Sequence, residues 1–461
     1  MSAITTNAAS RSGRLHWLAF LYLLTVVLPV SMNVGSIYLT SLRVLLLVVT
    51  IPMLVRMLSG QYGKVLPTDW LFLGHALWLT IALAVNNPDR VIQQAPSVGV
   101  EFLGGYVLAR GTIRSAGDFI ALCRVLIGFV LLSLPFALLE TQNGRPLVLE
   151  AIAALPGIDS LAFTRDDHRL GMARVQFTFA HPIHYGLFCS VVFSMAFVAL
   201  RGVTSEFRRY VTAALVAVAG FTALSSGALL AIVLQMALIG WAFVFRGVEW
   251  RWWLLLGMFA LAWVAIDMLS NRTPIQVFMS YATFSAHNAY WRSIIFEWGM
   301  MNIFGSDMND VPASPVFGIG LKDWVRPYFM NSGSMDNFWL VMGVRYGLPG
   351  FLLVALGWAS MVARLMRLRL PAGHPQLMIR RACVFTLLGL SFTLATVHVW
   401  GNVFSFVLFV VGSMAWLVQP GAQDGGEAAT PLPRHPVRGR PAYSRFAPRP
   451  ARGGAVARQS P

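Results

Sequence analysis

The chain has 461 residues, 57% of them hydrophobic and only 12% charged, with a formal net charge of +16. Water-soluble domains carry about 25% charged residues, so this composition excludes a soluble globular domain and implies a polytopic membrane protein. A nucleic-acid surface is excluded by where the charge lies: seven arginines, Arg434, Arg438, Arg440, Arg445, Arg449, Arg452 and Arg458, sit in the tail after Gln419, and most other cations flank apolar runs.

In chain order, residues 1–14 read as a short cytoplasmic segment. No small-residue cleavage site follows the first apolar run, so that run is expected to remain as a helix. Twelve apolar runs are found, at 15–34, 37–55, 70–86, 91–109, 118–139, 182–200, 210–224, 227–245, 252–269, 337–362, 382–398 and 402–418. Most approach the ~20 residues that a helix needs to cross the hydrocarbon. The run at 91–109 is the least apolar, because it contains Gln93, Gln94 and Glu101. Glu101 and Arg43 would be costly facing lipid and should face the bundle interior, as a structural pair or as substrate contacts. Cys123, Cys189 and Cys383 fall in or near the runs and read as small membrane-core residues. Residues 15–418 thus form one transmembrane domain, and the Arg-, Pro- and Gly-rich segment 419–461 reads as a disordered, lipid-attracted tail.

Orientation follows from where cations collect in the connections. One alternating set carries Arg11 and Arg14, Arg56 and Lys64, Arg110 and Arg114, Arg201 with Arg208 and Arg209, Arg246 and Arg251, and Arg364 to Arg381; these are expected to be cytoplasmic, as are both termini. The other set is short and nearly uncharged except for two long loops, about 140–181 and 271–336, which are assigned to the periplasmic face. Long loops cost entropy and usually serve a function. In the second, Ile294, Ile295, Trp298 and Met301 fall at helical spacing, the pattern of a helix lying on the membrane surface.

The first loop holds Glu140, Arg145, Glu150, Arg165, Asp166, Asp167, His168, Arg169, Arg174 and His181, with His184 in the helix that follows. The second holds Arg272, His287, Arg292, Glu297, Asp307, Asp310, Lys322, Asp323, Arg326 and Asp336. Periplasmic cations run against the topological preference, and a pocket for an anionic lipid headgroup would explain them, since a guanidinium holds phosphate oxygens in a planar fork. The plainer readings are that Arg165 and Arg169 pair with Asp166 and Asp167, that His181 caps the helix opened by Pro182, and that Asp336 caps the helix after it. Arg174 has only apolar or uncharged neighbours. No Walker loop, dinucleotide fingerprint, cysteine metal site or nucleophile elbow is present.

Four segments, taken together and in order, resemble the O-antigen ligase and polymerase family of bacterial membrane glycosyltransferases. They are "EFLGGYVLAR" (Glu101 to Arg110); "RVQFTFAHPIHYG" (Arg174 to Gly186); "LSSGALLA" (Leu224 to Ala231); and the composite of "YWRSIIFEWGM", "SPVFGIGLKDW" and "SMDNFWLVMGVRYGLPG". The resemblance covers roughly residues 30–418. It implies an all-α bundle akin to the C-type glycosyltransferases, with about 12 transmembrane helices, acting at the periplasmic face of the bacterial inner membrane. It also implies a substrate carried on undecaprenyl diphosphate, with no metal and no cofactor. By the family's motifs Arg174 and Arg292 hold the diphosphate, and His184, Glu101, Asn337 and Lys322 are further substrate-contact candidates. Two departures stand out: Ser226 occupies a position where family members have arginine, and Asp336-Asn337 replaces the His-Asn of ligases. The second favours the polymerase branch, with Asp336 as the base for an inverting displacement and His181 second. A chain-length regulator is a further expected partner.

The rival enzyme reading is a ligase or protein O-oligosaccharyltransferase using the same donor. A lipid-linked oligosaccharide transporter is disfavoured by the lack of an internal repeat and by polar candidates gathered on one face.

Overall fold

The computed structural model describes residues 14–34, 37–164, 168–281, 286–371 and 373–419. The expectations for residues 1–13, for Arg165, Asp166 and Asp167, for the His287 side chain and for the basic tail from residue 420 lie outside the described residues.

The first helix, α1 (Trp17–Val27), ends just before Pro29, which has no N–H to continue the ladder. The chain then turns through an antiparallel hairpin, β1 (Ser31–Val34) and β2 (Ile37–Thr40). The run expected as one helix through residue 34 is therefore a short helix plus a hairpin. Thr40 accepts the Arg43 N–H at 3.1 Å and so caps α2 (Ser41–Leu58). Next come α3 (Pro67–Asn86), α4 (Val91–Thr112) and α5 (Ala116–Asn143). The first long connection folds into α6 (Leu147–Ala153) and a tight hairpin, β3 (His168–Arg169) and β4 (Met172–Ala173). It leads into α7 (Pro182–Ser194), prolonged by a π turn at Met195–Ala199, then α8 (Glu206–Thr222), α9 (Ser226–Val244) and α10 (Arg251–Leu269). The second connection holds α11 (Pro274–Tyr281) and α12 (Ala286–Phe304), and the chain closes with α13 (Phe338–Arg367), α14 (Gln376–Leu394) and α15 (Gly401–Ser413).

Each expected apolar run contains a helix, and among the described residues nine stretches are long and apolar enough to cross a membrane. The fold is that of an all-α polytopic membrane protein. The exposed row Val44, Val48, Ile51 and Val55 on α2 is the face that a spanning helix turns to lipid. At the centre, α7 and α15 are almost wholly buried, and Cys123, Cys189 and Cys383 are free and buried.

The "EFLGGYVLAR" segment lies on α4 and locks it to its neighbours. Glu101 accepts from Arg43 Nε of α2 at 2.7 Å. A Cβ on Gly104 would come within 2.6 Å of Thr50 Oγ1, and one on Gly105 within 2.5 Å of the Ser405 carbonyl on α15. Tyr106 donates its hydroxyl to Asp69, and Arg110 holds the same carboxylate at 3.1 Å while donating to the Tyr62 and Lys64 carbonyls.

Two other signature pieces form one unit. Within α13, Gly347 has φ +70° and breaks the helix in two. The "SPVFGIG" loop crosses that break: Leu348 N–H donates to the Pro315 carbonyl (2.7 Å), and Ile319 and Gly320 donate to Val344 (2.8 Å) and Arg345 (3.0 Å). A Cβ at Gly347 would overlap the Val316 carbonyl at 2.0 Å, so glycine is required there. The break folds the first half back, bringing the Trp339 and Trp358 rings to 5.7 Å. The apolar run 337–362 is therefore not one straight helix.

Candidate functional site

The site is organised by the turn joining α8 to α9. Leu224 in that turn takes φ +44°, an uncommon conformation for a residue with a side chain and one that clusters at functional positions. Three arginines from separate segments reach these few residues. Arg174, buried just after β4, donates Nε to the Ala223 carbonyl at 3.3 Å. Arg169, in β3, donates Nη1 to the Leu224 carbonyl at 3.1 Å. Arg292, on α12, reaches Ser226 Oγ with Nη2 at 3.5 Å. The residue that stands where arginine is expected is thus the one that receives an arginine from α12.

Local structure explains the convergence. Carbonyls at the end of α8 have no intrahelical partner and attract cations. The segment that delivers Arg174 is threaded into the bundle, where Val175 N–H donates to the Thr222 carbonyl at 3.1 Å. Buried Glu140 receives the N–H groups of Gln176 (2.7 Å) and Phe177 (3.1 Å), so it holds the backbone of this segment. Arg145 instead pairs with Glu150 at 2.7 Å on the surface. On α12, Ile294, Ile295 and Ile303 are buried and Gly299 accommodates Leu340 of α13. Of the face expected to lie on the membrane, Ile294 and Ile295 are buried in protein while Trp298 and Met301 are half-buried, and this docking fixes where Arg292 points.

The turn also begins α9, and Ser225 ahead of it offers no side-chain cap to the first N–H groups. A helix N-terminus with uncapped N–H groups attracts anions. Here it lies beside Arg292, whose Nη1 is buried without a hydrogen-bond partner. Burial holds the Arg292 pKa below the usual guanidinium range; the nearby Asp336 charge opposes that shift and Arg169 adds to it.

Asp336 is half-buried ahead of α13, accepting from Ser334 Oγ at 2.7 Å. It does not cap α13: Asn337 does, accepting the Leu340 N–H at 3.1 Å. Hydrogen bonds tie this start to the turn. Phe338 N–H donates to the Val397 carbonyl (3.0 Å), and Thr393 Oγ1, on the same segment, donates to the Gly227 carbonyl (3.0 Å).

The histidines form a second cluster around Trp400. His184 lies 4.1 Å from that ring, His398 6.0 Å and His181 6.1 Å, centroid to centroid. His181 also caps α7, its Nδ1 accepting the Ile183 N–H at 3.2 Å. A cavity of about 310 Å³ opens here, lined by His184 and Trp400 together with the Arg43–Glu101 pair. Lys322 stays apart: its loop is held by Asn87, which accepts the Leu321 N–H at 2.8 Å, and no contact joins it to the arginines among the described residues.

In the sequence Arg169 is one charged residue among many in its loop, and His398 and Trp400 belong to none of the resembling segments. The expected pairing of Arg165 and Arg169 with Asp166 and Asp167 lies outside the described residues; Arg169 reaches Leu224 from a hairpin whose turn is Leu170-Gly171 (φ +53° and +76°). No protein-family model matches the chain, and no curated protein matches it.

Proposed function

We propose that this chain is a membrane glycosyltransferase of the polysaccharide-polymerase type. It joins oligosaccharide repeat units carried on undecaprenyl diphosphate, at the periplasmic face of the bacterial inner membrane. The observation that carries this reading is that Arg169, Arg174 and Arg292, from three segments, reach one short turn at the start of α9. The resemblance of the four ordered segments to the O-antigen ligase and polymerase family adds to it.

In this reading the diphosphate of the donor lies against the guanidinium groups and the first N–H groups of α9. An acceptor sugar hydroxyl attacks the donor's anomeric carbon. The new glycosidic C–O bond forms as the bond to the diphosphate oxygen breaks, with inversion at that carbon. Negative charge grows on the leaving diphosphate, which is where fixed cations lower the barrier most. Asp336 takes the hydroxyl proton; it is the carboxylate that acts on Arg292, and the capping of α13 falls to its neighbour. The cavity of about 310 Å³ beside His184 and Trp400 suits a single sugar ring of the acceptor.

The test is purified protein in liposomes given lipid-linked repeat units alone. A ladder of lengthening products is expected. Donor consumption only after a lipid or protein acceptor is added would replace the polymerase with a ligase or oligosaccharyltransferase. An untouched donor under both conditions would end the glycosyl-transfer reading.

A further inference from the structure

At the end of the bundle away from the Ala223–Ser226 turn, the π turn after α7 joins α8, α9 and α14 around a groove of about 750 Å³. That is within the roughly 300–1,000 Å³ of small-molecule sites. The helices themselves set the separation. The 17 residues of α8 run from Glu206 at the groove to Thr222 at the turn, roughly 25 Å at ~1.5 Å per residue.

The walls are apolar, with Phe197, Ala217, Met236 and Phe385 among them. The rim differs: Arg201, Arg209, Arg246, Arg251 and Arg381 line it against a single carboxylate, Glu206. That carboxylate is already used, because Arg209 donates to it and to the Phe197 carbonyl while stacking 4.4 Å from the Phe197 ring. The other four have no carboxylate partner among the described residues. Arg201, Arg251 and Arg380 lie close enough to Arg381 for their charges to repel it. The buried Nε atoms of Arg209 and Arg251 have no hydrogen-bond partner. The π turn at Met195–Ala199, a feature often found at functional sites, forms part of the wall.

Cations at helix ends are ordinary topology signals. Arg56 and Arg367, exposed at helix ends and outside the groove lining, fit that description. The groove arginines do not, since they gather around one apolar hollow, where like charges are costly until an anion with an apolar body lies among them. We infer that this groove binds an anionic phospholipid, with an acyl chain between α8 and α9 against Ala217 and Met236, and its phosphate among Arg201, Arg251 and Arg381. Basic pockets between membrane helices hold anionic headgroups in this way. The inference is independent of the polymerase reading, which concerns the other end of the bundle. A polyprenyl phosphate shares the chemistry, so the experiment separates the two.

Full-length protein is taken from phosphatidylcholine nanodiscs doped with phosphatidylglycerol, and retained lipid is read by native mass spectrometry. Wild type is expected to keep a phosphatidylglycerol adduct. Arg251→Gln with Arg381→Gln should lower its occupancy by about tenfold or more, whereas Arg56→Gln with Arg367→Gln should not. Ala217→Trp fills the groove with every arginine intact and should also expel the lipid. If the first double variant fails to fold, Ala217→Trp decides. An adduct that survives groove filling, or is lost equally in the Arg56 and Arg367 variant, overturns the site in favour of general leaflet attraction. Displacement of phosphatidylglycerol by equimolar polyprenyl phosphate overturns the occupant.

Discussion

Two of the segments that resemble family motifs end in opposite situations. In Glu101 to Arg110, the polar groups close on one another: Glu101 on Arg43, and Tyr106 and Arg110 on Asp69. In Arg174 to Gly186, Arg174 reaches the turn between α8 and α9, where Arg169 from the preceding hairpin and Arg292 from α12 join it, and no ion pair to Arg292 is found among the described residues. Motif-like conservatism of residue type is thus no guide by itself to chemistry. What separates the two is where the guanidinium groups go: onto a carboxylate in the first, a fastening, and onto the carbonyls and hydroxyl of one turn in the second.

The largest expected effect lies on the fastening side. Asp69→Ala would leave Arg110 buried and uncompensated, and breaking such a pair costs about 3–5 kcal/mol. Greatly reduced folded protein in detergent, read by size exclusion and thermal melting, is the expected outcome. Near-normal melting would mean that the α3–α4 junction is not a fastening. Next come Arg174→Ala and Arg292→Ala, which should leave the protein folded and lower polymer synthesis about 10²–10³-fold, the loss typical when one preorganised donor to a developing charge is removed. Arg292→Lys should restore little, because a point charge does not replace the planar fork. Wild-type chain lengths in both alanine variants would remove the diphosphate clamp.

Much of the fold was legible in the sequence, because lipid imposes a simple rule: long apolar stretches become helices whose backbone groups are satisfied internally. Arg174 and Arg292 stand out in the sequence only through the resemblance of the segments that carry them, and Asp336 through its departure from the family's His-Asn pair, because both long loops hold many other charged residues. What could not be read is what depends on register between distant segments. Pro29 was visible, yet its consequence, a hairpin instead of a longer helix, required the partner strand at Ile37–Thr40. Gly347 was visible within a glycine-rich motif, but its role follows from the Val316 carbonyl lying where a Cβ would be. The reach of Arg169 to the Leu224 carbonyl joins segments far apart in the chain and leaves no local trace in the sequence.

The smaller effects separate two adjacent residues, Asp336, expected as the base, and Asn337, expected as a substrate contact. Asp336→Asn keeps the size and the hydrogen bond from Ser334 but removes the proton acceptor, so turnover should fall by at least about 10²-fold while the melting temperature holds. Asn337→Ala should do the reverse. Its Oδ1 satisfies the Leu340 N–H at 3.1 Å at the head of α13, and losing an N-cap costs about 1 kcal/mol. Since the first half of α13 is also held through Phe338 on the Val397 carbonyl, the helix start should stay in place and turnover should change little. Melting and product ladders measured on both variants would resolve the pair. A loss of activity in Asn337→Ala as deep as that in Asp336→Asn would mean that α13 acts by holding its end rigid, with no carboxylate base at its head.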